Sequence, residues 1–269
     1  MCTLVILRHL HPEYPLVLAA NRDELYARAA ADTGLLALAP RVLGGRDLER
    51  QGTWMGVNDG GLFVGLTNQR GSAFLDRASR SRGEAVLDAL QQTSVEGIER
   101  YLDALDAREF LPFNLLYGDA RTLRVAYARR ESARVHREDV PPGLHVLAND
   151  VLDSPALPKV ARARELAERA AHLPWPETVR TLHAAMADHT LPERAPEPLP
   201  QERDHPAFLA HARELQAVCI HTPAYGTRSS ALIALEPGRV AHYLAVNTPP
   251  CQGDYRELAP LLYPERRVA

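Results

Sequence analysis

Strand-like apolar runs and helical patterns occupy separate blocks of this chain rather than alternating, and that order constrains the fold more than any single motif. Residues 2–8 and 15–20, rich in Val, Leu and Ile, flank the turn segment HPEYP and predict a hairpin. WMGVNDGGLFVGLTN sets two short apolar runs around Asn58-Asp59-Gly60-Gly61, a strong hairpin signal. Apolar residues at three- and four-residue spacing then predict helices in SRGEAVLDALQQ and VEGIERYLDALDAREF, with Ser81 or Ser94 as candidate caps. Strands are expected at 113–117, 122–128 and 143–148, then a second helical pair at 157–173 and 177–188, joined by Pro174-Trp175-Pro176. Strands return at 216–221, 228–235 and 239–246. Segregated blocks of this kind predict an α+β protein with helices stacked on antiparallel sheets. A doubly wound nucleotide-binding fold is disfavoured, because the first strand is not followed by GxGxxG and the chain has no GxxxxGK[ST]. Gly44-Gly45-Arg46-Asp47 is too short to cradle a phosphate. The proline- and charge-rich segment 189–206 reads as an exposed loop.

The chain has 269 residues with 46% hydrophobic content, ample for a full core, and reads as a single domain over 1–269. A net charge of −3 lacks the basic field that phosphate backbones require, so no nucleic-acid partner is expected. Lys159 is the only lysine among many arginines, a bias that reads as genomic rather than functional. The apolar start CTLVIL is broken by Arg8, His9, His11 and Pro12, and no run approaches a bilayer-spanning length, so neither a signal peptide nor a membrane span is expected. The three cysteines, Cys2, Cys219 and Cys251, form no CxxC pair, which argues against a disulfide framework and a cysteine zinc site and fits a reducing cytoplasm. His9 and His11 belong to no HExxH or other ligand-spaced group, and Cys219 and His221 read as a core cysteine and a strand-end histidine. The expectation is no metal and no cofactor, with Trp54 and Trp175 as packing anchors.

Cys2 follows Met1 directly. Removal of Met1 would put a thiol and a free α-amine on one residue, a nucleophile beside its own base, since an α-amine with pKa near ~7.7 to 8.0 is substantially neutral at physiological pH. On position alone Cys2 is as well explained by a small apolar residue opening a buried strand.

Further along the chain come Asn21-Arg22-Asp23-Glu24, GGRD at 44–47, GTWMGVN at 52–58, GLTN at 65–68, PFNL at 112–115, AND at 148–150 and GTRSS at 226–230. With the initial Met-Cys, these segments resemble in order and over nearly the whole chain the NRDE family, also called the transport and Golgi organisation protein 2 family. More distantly they are similar to the cysteine N-terminal nucleophile (Ntn) hydrolases of the choloylglycine hydrolase and penicillin V acylase group, which cut amide bonds. That resemblance implies a four-layer αββα sandwich and a site drawn from Cys2, Arg22, Asp23, Asn68, Asn149 and Arg228. Arg22 and Asp23 are adjacent here where that group has a spacer, and neighbouring strand residues face opposite ways.

Each position has a physical role to offer. Asp23 can hold an α-ammonium by a charge-assisted bond, Arg22 or Arg228 can favour a thiolate, Asn68 can donate to an oxyanion, and Asn149 can support that oxyanion or orient the amine. Singly, the asparagines read as turn closers, Asp23 as a helix cap and the arginines as structural ion partners. As an ordered set they imply a hydrolase of a linear amide or related acyl bond, with a small acyl or amide substrate and Cys2 exposed by removal of Met1. The alternative, also implied by the resemblance, is a non-catalytic carrier for acyl-CoA, lipid or haem-like ligands on the same fold.

Overall fold

The computed structural model describes residues 2–75 and 78–264. Two antiparallel sheets form its centre. The first has six strands in the order β10-β1-β2-β11-β12-β13: β10 (Gly143–Leu147), β1 (Cys2–Arg8), β2 (Leu16–Leu25), β11 (Tyr225–Glu236), β12 (Arg239–Val246) and β13 (Arg256–Glu257). The second runs in sequence order through seven strands: β3 (Ala30–Leu38), β4 (Arg41–Asp47), β5 (Met55–Asn58), β6 (Phe63–Asn68), β7 (Phe113–Gly118), β8 (Leu123–Ala128) and β9 (His136–Asp139).

Period-two alternation explains how the layers stack. Leu4, Ile6, Leu16 and Leu18 point between the sheets and meet Leu43, Val57, Phe63 and Leu116 from the facing sheet. The intervening residues Val5, Leu7, Val17 and Ala19 point outward onto α3 (Pro158–Glu168) and α4 (Trp175–Met186), where they meet Val160, Ala163, Leu182 and Met186. On the other outer face, Val64, Leu115 and Tyr117 pack on α1 (Arg82–Leu90) and α2 (Val95–Ala104) through Val86, Leu90, Ile98 and Leu102. The result is the expected α+β sandwich, layered αββα. Each fully buried Leu or Phe contributes roughly 1.5 to 3 kcal/mol by leaving water. Strands buried on both faces therefore carry the near-continuous apolar runs that made β1 and β2 legible.

Local chemistry sets the element ends. Ser94 caps α2, its hydroxyl accepting from the Gly97 amide at 3.1 Å, whereas Ser81 precedes α1 without a side-chain cap bond. The expected strand at 216–221 is not one: residues 214–216 form a 3-10 turn, and the following backbone bonds to Asp188 and Thr227 with a single bridge from His221 to Gly226. β3 escaped the sequence pattern because it is an exposed edge strand with two register shifts, and neither feature leaves apolar alternation. Segment 189–206 is the mostly exposed loop expected, pinned by one buried residue. Glu202 is fully buried in it and takes both ends of the Arg70 guanidinium, at 3.0 and 2.7 Å.

Candidate active site

The β1–β2 register places Cys2 opposite Arg22 and Thr3 opposite Asn21. Directly opposed residues share a face, so the Cys2 and Arg22 side chains both project between the sheets, whereas Asn21 and Asp23 project toward the α3–α4 layer. This settles what adjacency in the sequence left open: Arg22, not the Asp23 carboxylate, shares the thiol's side of the strand.

Arg22 lies over the indole of Trp54, its guanidinium carbon 4.0 Å from the ring centroid. Trp54 occupies that position because residue 45 is glycine; a Cβ there would stand 2.2 Å from the indole carbons. A second close approach, at Gly52, where a Cβ would lie 2.3 Å from the Gly83 carbonyl carbon, lets the 52–54 loop press on the start of α1. GGRD and GTWMG thus act together to build the floor under Arg22. Asp47 completes this wall, accepting from Arg28 at 2.6 Å.

The Asp23 carboxylate has no exposed surface. It accepts the Thr227 hydroxyl at 2.6 Å and lies 3.9 Å from the ammonium of Lys159, which is 1% exposed at the start of α3. Burial pushes the Asp23 carboxyl up, against the downward pull of Lys159. Burial pushes Lys159 down, against the upward pull of Asp23. The lone lysine, to which the sequence assigned no function, is therefore the buried counter-charge behind the paired strands β1 and β2. A single cation among the alanines and arginines of α3 offers no local signal of that role.

Cys2 is partly buried. Burial raises its thiol pKa, as does the Asp23 charge, while the Asp23 main-chain N–H and Arg22 favour the thiolate. Cys2, Arg22, Asp23 and Asn68 border one cavity of about 430 Å³, together with Arg28, Arg80, Arg82 and Trp54. Arg82 was not anticipated. It begins α1 and, chiefly through burial, is lowered to about 10. An adjoining apolar groove of about 560 Å³ shares Glu24, Arg28, Asn68 and Arg82 with this cavity and continues over Leu25, Phe74, Phe208, Leu215 and Tyr225.

Two of the expected residues take other places. Asn149 is buried, and its amide donates to the Asn68 main-chain carbonyl at 2.8 Å, so it braces the strand end that carries Asn68. Arg228 sits at a register shift of β11 and donates to the carbonyls of Leu25, Tyr26 and Arg28 at 2.9, 2.8 and 3.3 Å, clamping the turn after β2. Asn21 donates to the carbonyls of Met186 and Val218, tying the NRDE strand to the end of α4. Sequence spacing assembled no group of metal-ligand type, yet the fold brings His189, Cys219, His221 and Cys251 together away from this cavity, with one donor atom of each within 4.8 Å of the others.

The Transport and Golgi organisation 2 family model matches residues 1–245. The chain is 34% identical over 236 residues to the Transport and Golgi organization protein 2 homolog of Bos taurus and 30% identical over 236 residues to that of Homo sapiens, in both cases covering 83% of each chain. Among solved structures it is similar to the mutant C2A conjugated bile acid hydrolase from Clostridium perfringens, with a TM-score of 0.50 and 12% identity over 96% of both chains, a likeness of fold. Among the described residues no helix is long and apolar enough to cross a membrane.

Proposed function

The chain belongs to the Transport and Golgi organisation 2 family, and on that premise we propose that it is an Ntn hydrolase whose nucleophile is Cys2 after removal of Met1, cutting a linear amide or related acyl bond. The observation that carries the proposal is the convergence of the Cys2 thiol, Arg22 and the Asn68 strand end on one cavity opening into an apolar groove. The Ntn-hydrolase fold of the bile acid enzyme supports it.

In this reading the α-amine of Cys2 takes the thiol proton, because a cysteine thiol with a pKa near ~8.5 is mostly un-ionised at neutral pH. Sulfur attacks the acyl carbon and the carbonyl electron pair moves to oxygen, where the Asn68 amide donates to it, a type of contact worth ~3 to 4 kcal/mol. Collapse expels the amine, which takes the proton from the α-ammonium, and leaves a Cys2 thioester. Water, deprotonated by the same α-amine, then releases the acid and restores the thiol. Arg22 holds negative charge near the sulfur, Asn149 keeps Asn68 in place, and Asp23 with Lys159 fixes the strand beneath them. The groove takes an acyl chain, and the arginines at its mouth favour substrates with an anionic group.

The apolar groove equally suits the second reading, a carrier that binds acyl-CoA, lipid or haem-like ligands without turnover. Position 2 separates the two. Intact mass establishes whether Met1 is lost. N-acyl amides and acyl thioesters of graded chain length are then assayed for hydrolysis and for binding with the wild type and Cys2→Ala. Hydrolysis that disappears in Cys2→Ala while binding persists supports the enzyme. Binding without hydrolysis in either protein supports the carrier, and hydrolysis that survives in Cys2→Ala refutes the nucleophile.

A further inference from the structure

His189, Cys219, His221 and Cys251 lie on three separate stretches of chain. His189 follows the end of α4, Cys219 and His221 sit two residues apart on an extended segment, and Cys251 lies in the 3-10 turn Pro250–Gln252. Their donor atoms form a compact group. The two sulfurs are 3.8 Å apart, Cys219 Sγ is 3.8 Å from His221 Nε2, and His221 Nε2 is 3.3 Å from Cys251 Sγ. A zinc ion with Zn–S bonds of ~2.3 Å and Zn–N bonds of ~2.0 to 2.1 Å requires tetrahedral edges of roughly 3.8 Å between sulfurs and roughly 3.5 Å between sulfur and nitrogen. The observed separations are close to those edges.

The surroundings match a ligand set as well as the distances do. The His189 Nδ1 lies 3.0 Å from the Cys219 carbonyl oxygen, so as donor it leaves the ring lone pair on Nε2, the arrangement that fixes the tautomer of metal-bound imidazoles. The Cys219 amide donates to the Asp188 carbonyl at 2.9 Å, and the Asp188 side chain is gripped by Arg162 at 3.1 and 3.0 Å, which anchors the His189 backbone. Period two puts Cys219 and His221 on one side of their segment, and Ile220 between them is held by its amide on the Thr227 hydroxyl at 2.8 Å. The Cys251 turn is held by His183, whose Nε2 meets the Pro250 carbonyl at 2.8 Å. Each donor thus hangs from a backbone fixed by other bonds. Cys219 is buried while the other three are exposed, so an ion can enter from solvent.

We propose that these four residues form a structural zinc site, distinct from the Cys2 cavity. Two thiolates and two imidazoles are a closed set for a borderline-soft divalent ion, with no position left for a reacting water. On binding, two S–H protons pass to solvent, two Zn–S bonds form and two neutral imidazole lone pairs complete the shell. The ion would cross-link the end of α4, the extended segment that carries Cys219 and His221, and the turn after β12. It would also steady the nucleophile's strand, because the Thr227 hydroxyl that receives the Ile220 amide donates to Asp23.

The test is metal analysis of the purified full chain, then zinc titration of chelator-treated, thiol-reduced protein with a colorimetric competitor, and cobalt substitution. Expected are one zinc per chain, visible absorption of tetrahedral cobalt with a thiolate charge-transfer band, and protection of Cys251 from iodoacetamide by zinc. Cys251→Ser, whose side chain is exposed and whose fold should persist, should weaken zinc at least ~tenfold and diminish the charge-transfer band. His189→Ala should weaken zinc similarly but leave the thiolate band, while Cys2→Ala leaves zinc binding unchanged. Reduced protein that takes up no stoichiometric zinc, or a Cys219–Cys251 disulfide that forms in air despite excess zinc, overturns the proposal. So does zinc affinity indifferent to both ligand substitutions.

Discussion

Replacing Lys159 with methionine tests the buried pair behind the strands β1 and β2. The Lys159 ammonium and Asp23 carboxylate are 3.9 Å apart, with side chains 1% and 0% exposed. At an effective dielectric of ~20 their attraction is about 4 kcal/mol, close to what burying the two charges costs, so the intact pair adds little net stability. Removing only the lysine leaves Asp23 without its helix-side cation, and such truncations cost ~3 to 5 kcal/mol. Lys159→Met should therefore lower unfolding stability by about 3 kcal/mol at pH 7, read from urea midpoints at constant m. The double variant Lys159→Met/Asp23→Asn should recover most of that loss, since Asn keeps a partner for Thr227. The pH dependence has a definite sign. Burial already raises the Asp23 carboxyl above its ordinary value, and without the lysine the rise grows. A raised carboxyl contributes stability that is fully present below the unfolded value near ~3.9 and is lost as pH climbs through the folded value. The deficit of Lys159→Met should thus be small at acid pH and widen toward neutrality. A cost under ~1 kcal/mol at pH 7, or additive single and double variants, would show that the pair is not coupled and would refute this account.

Gly45→Ala places a methyl within 2.2 Å of the Trp54 indole and should cost ~1 to 3 kcal/mol. It should also weaken any Cys2-dependent turnover more than a surface Gly→Ala does, because the indole carries Arg22. Glu202→Gln leaves the Arg70 guanidinium facing a neutral amide in a fully buried position. Limited proteolysis should then cut the 190–199 stretch faster than in the wild type, and equal cutting rates would contradict the pinning role. Burial raises the Asp153 carboxyl, but His145, the Val146 amide and Arg164 outweigh it, holding the group below its ordinary value. Its stabilisation is present above the unfolded value near ~3.9 and is lost as pH falls through the lower folded value. The stability gap between wild type and Asp153→Asn should therefore close in acid, as a urea series across pH can verify.

Features that depend on near neighbours in the chain were legible in the sequence. Blocks of alternating and helical apolar spacing located β1, β2, β5 to β8, β10 to β12 and all four main helices, because a residue's face on a strand or helix follows from its index. The same period-two rule foretold that Arg22 and Asp23 would face apart, and the register of β1 on β2 bears it out. The rest depended on which distant segments meet. Arg228 matched an expected site position, yet its place at a β11 register shift turns its guanidinium onto three carbonyls of the turn after β2. Asn149 matched another, and it acts through the Asn68 carbonyl. Lys159 gave no pattern at all, because only the docking of α3 on the outer face of the sheet that carries Asp23 buries the carboxylate that makes a lysine there meaningful. The histidine–cysteine group is the extreme case. Its members come from three loops whose encounter is decided by the sandwich as a whole, and the sequence carries donor types while only the tertiary fold supplies the distances between them.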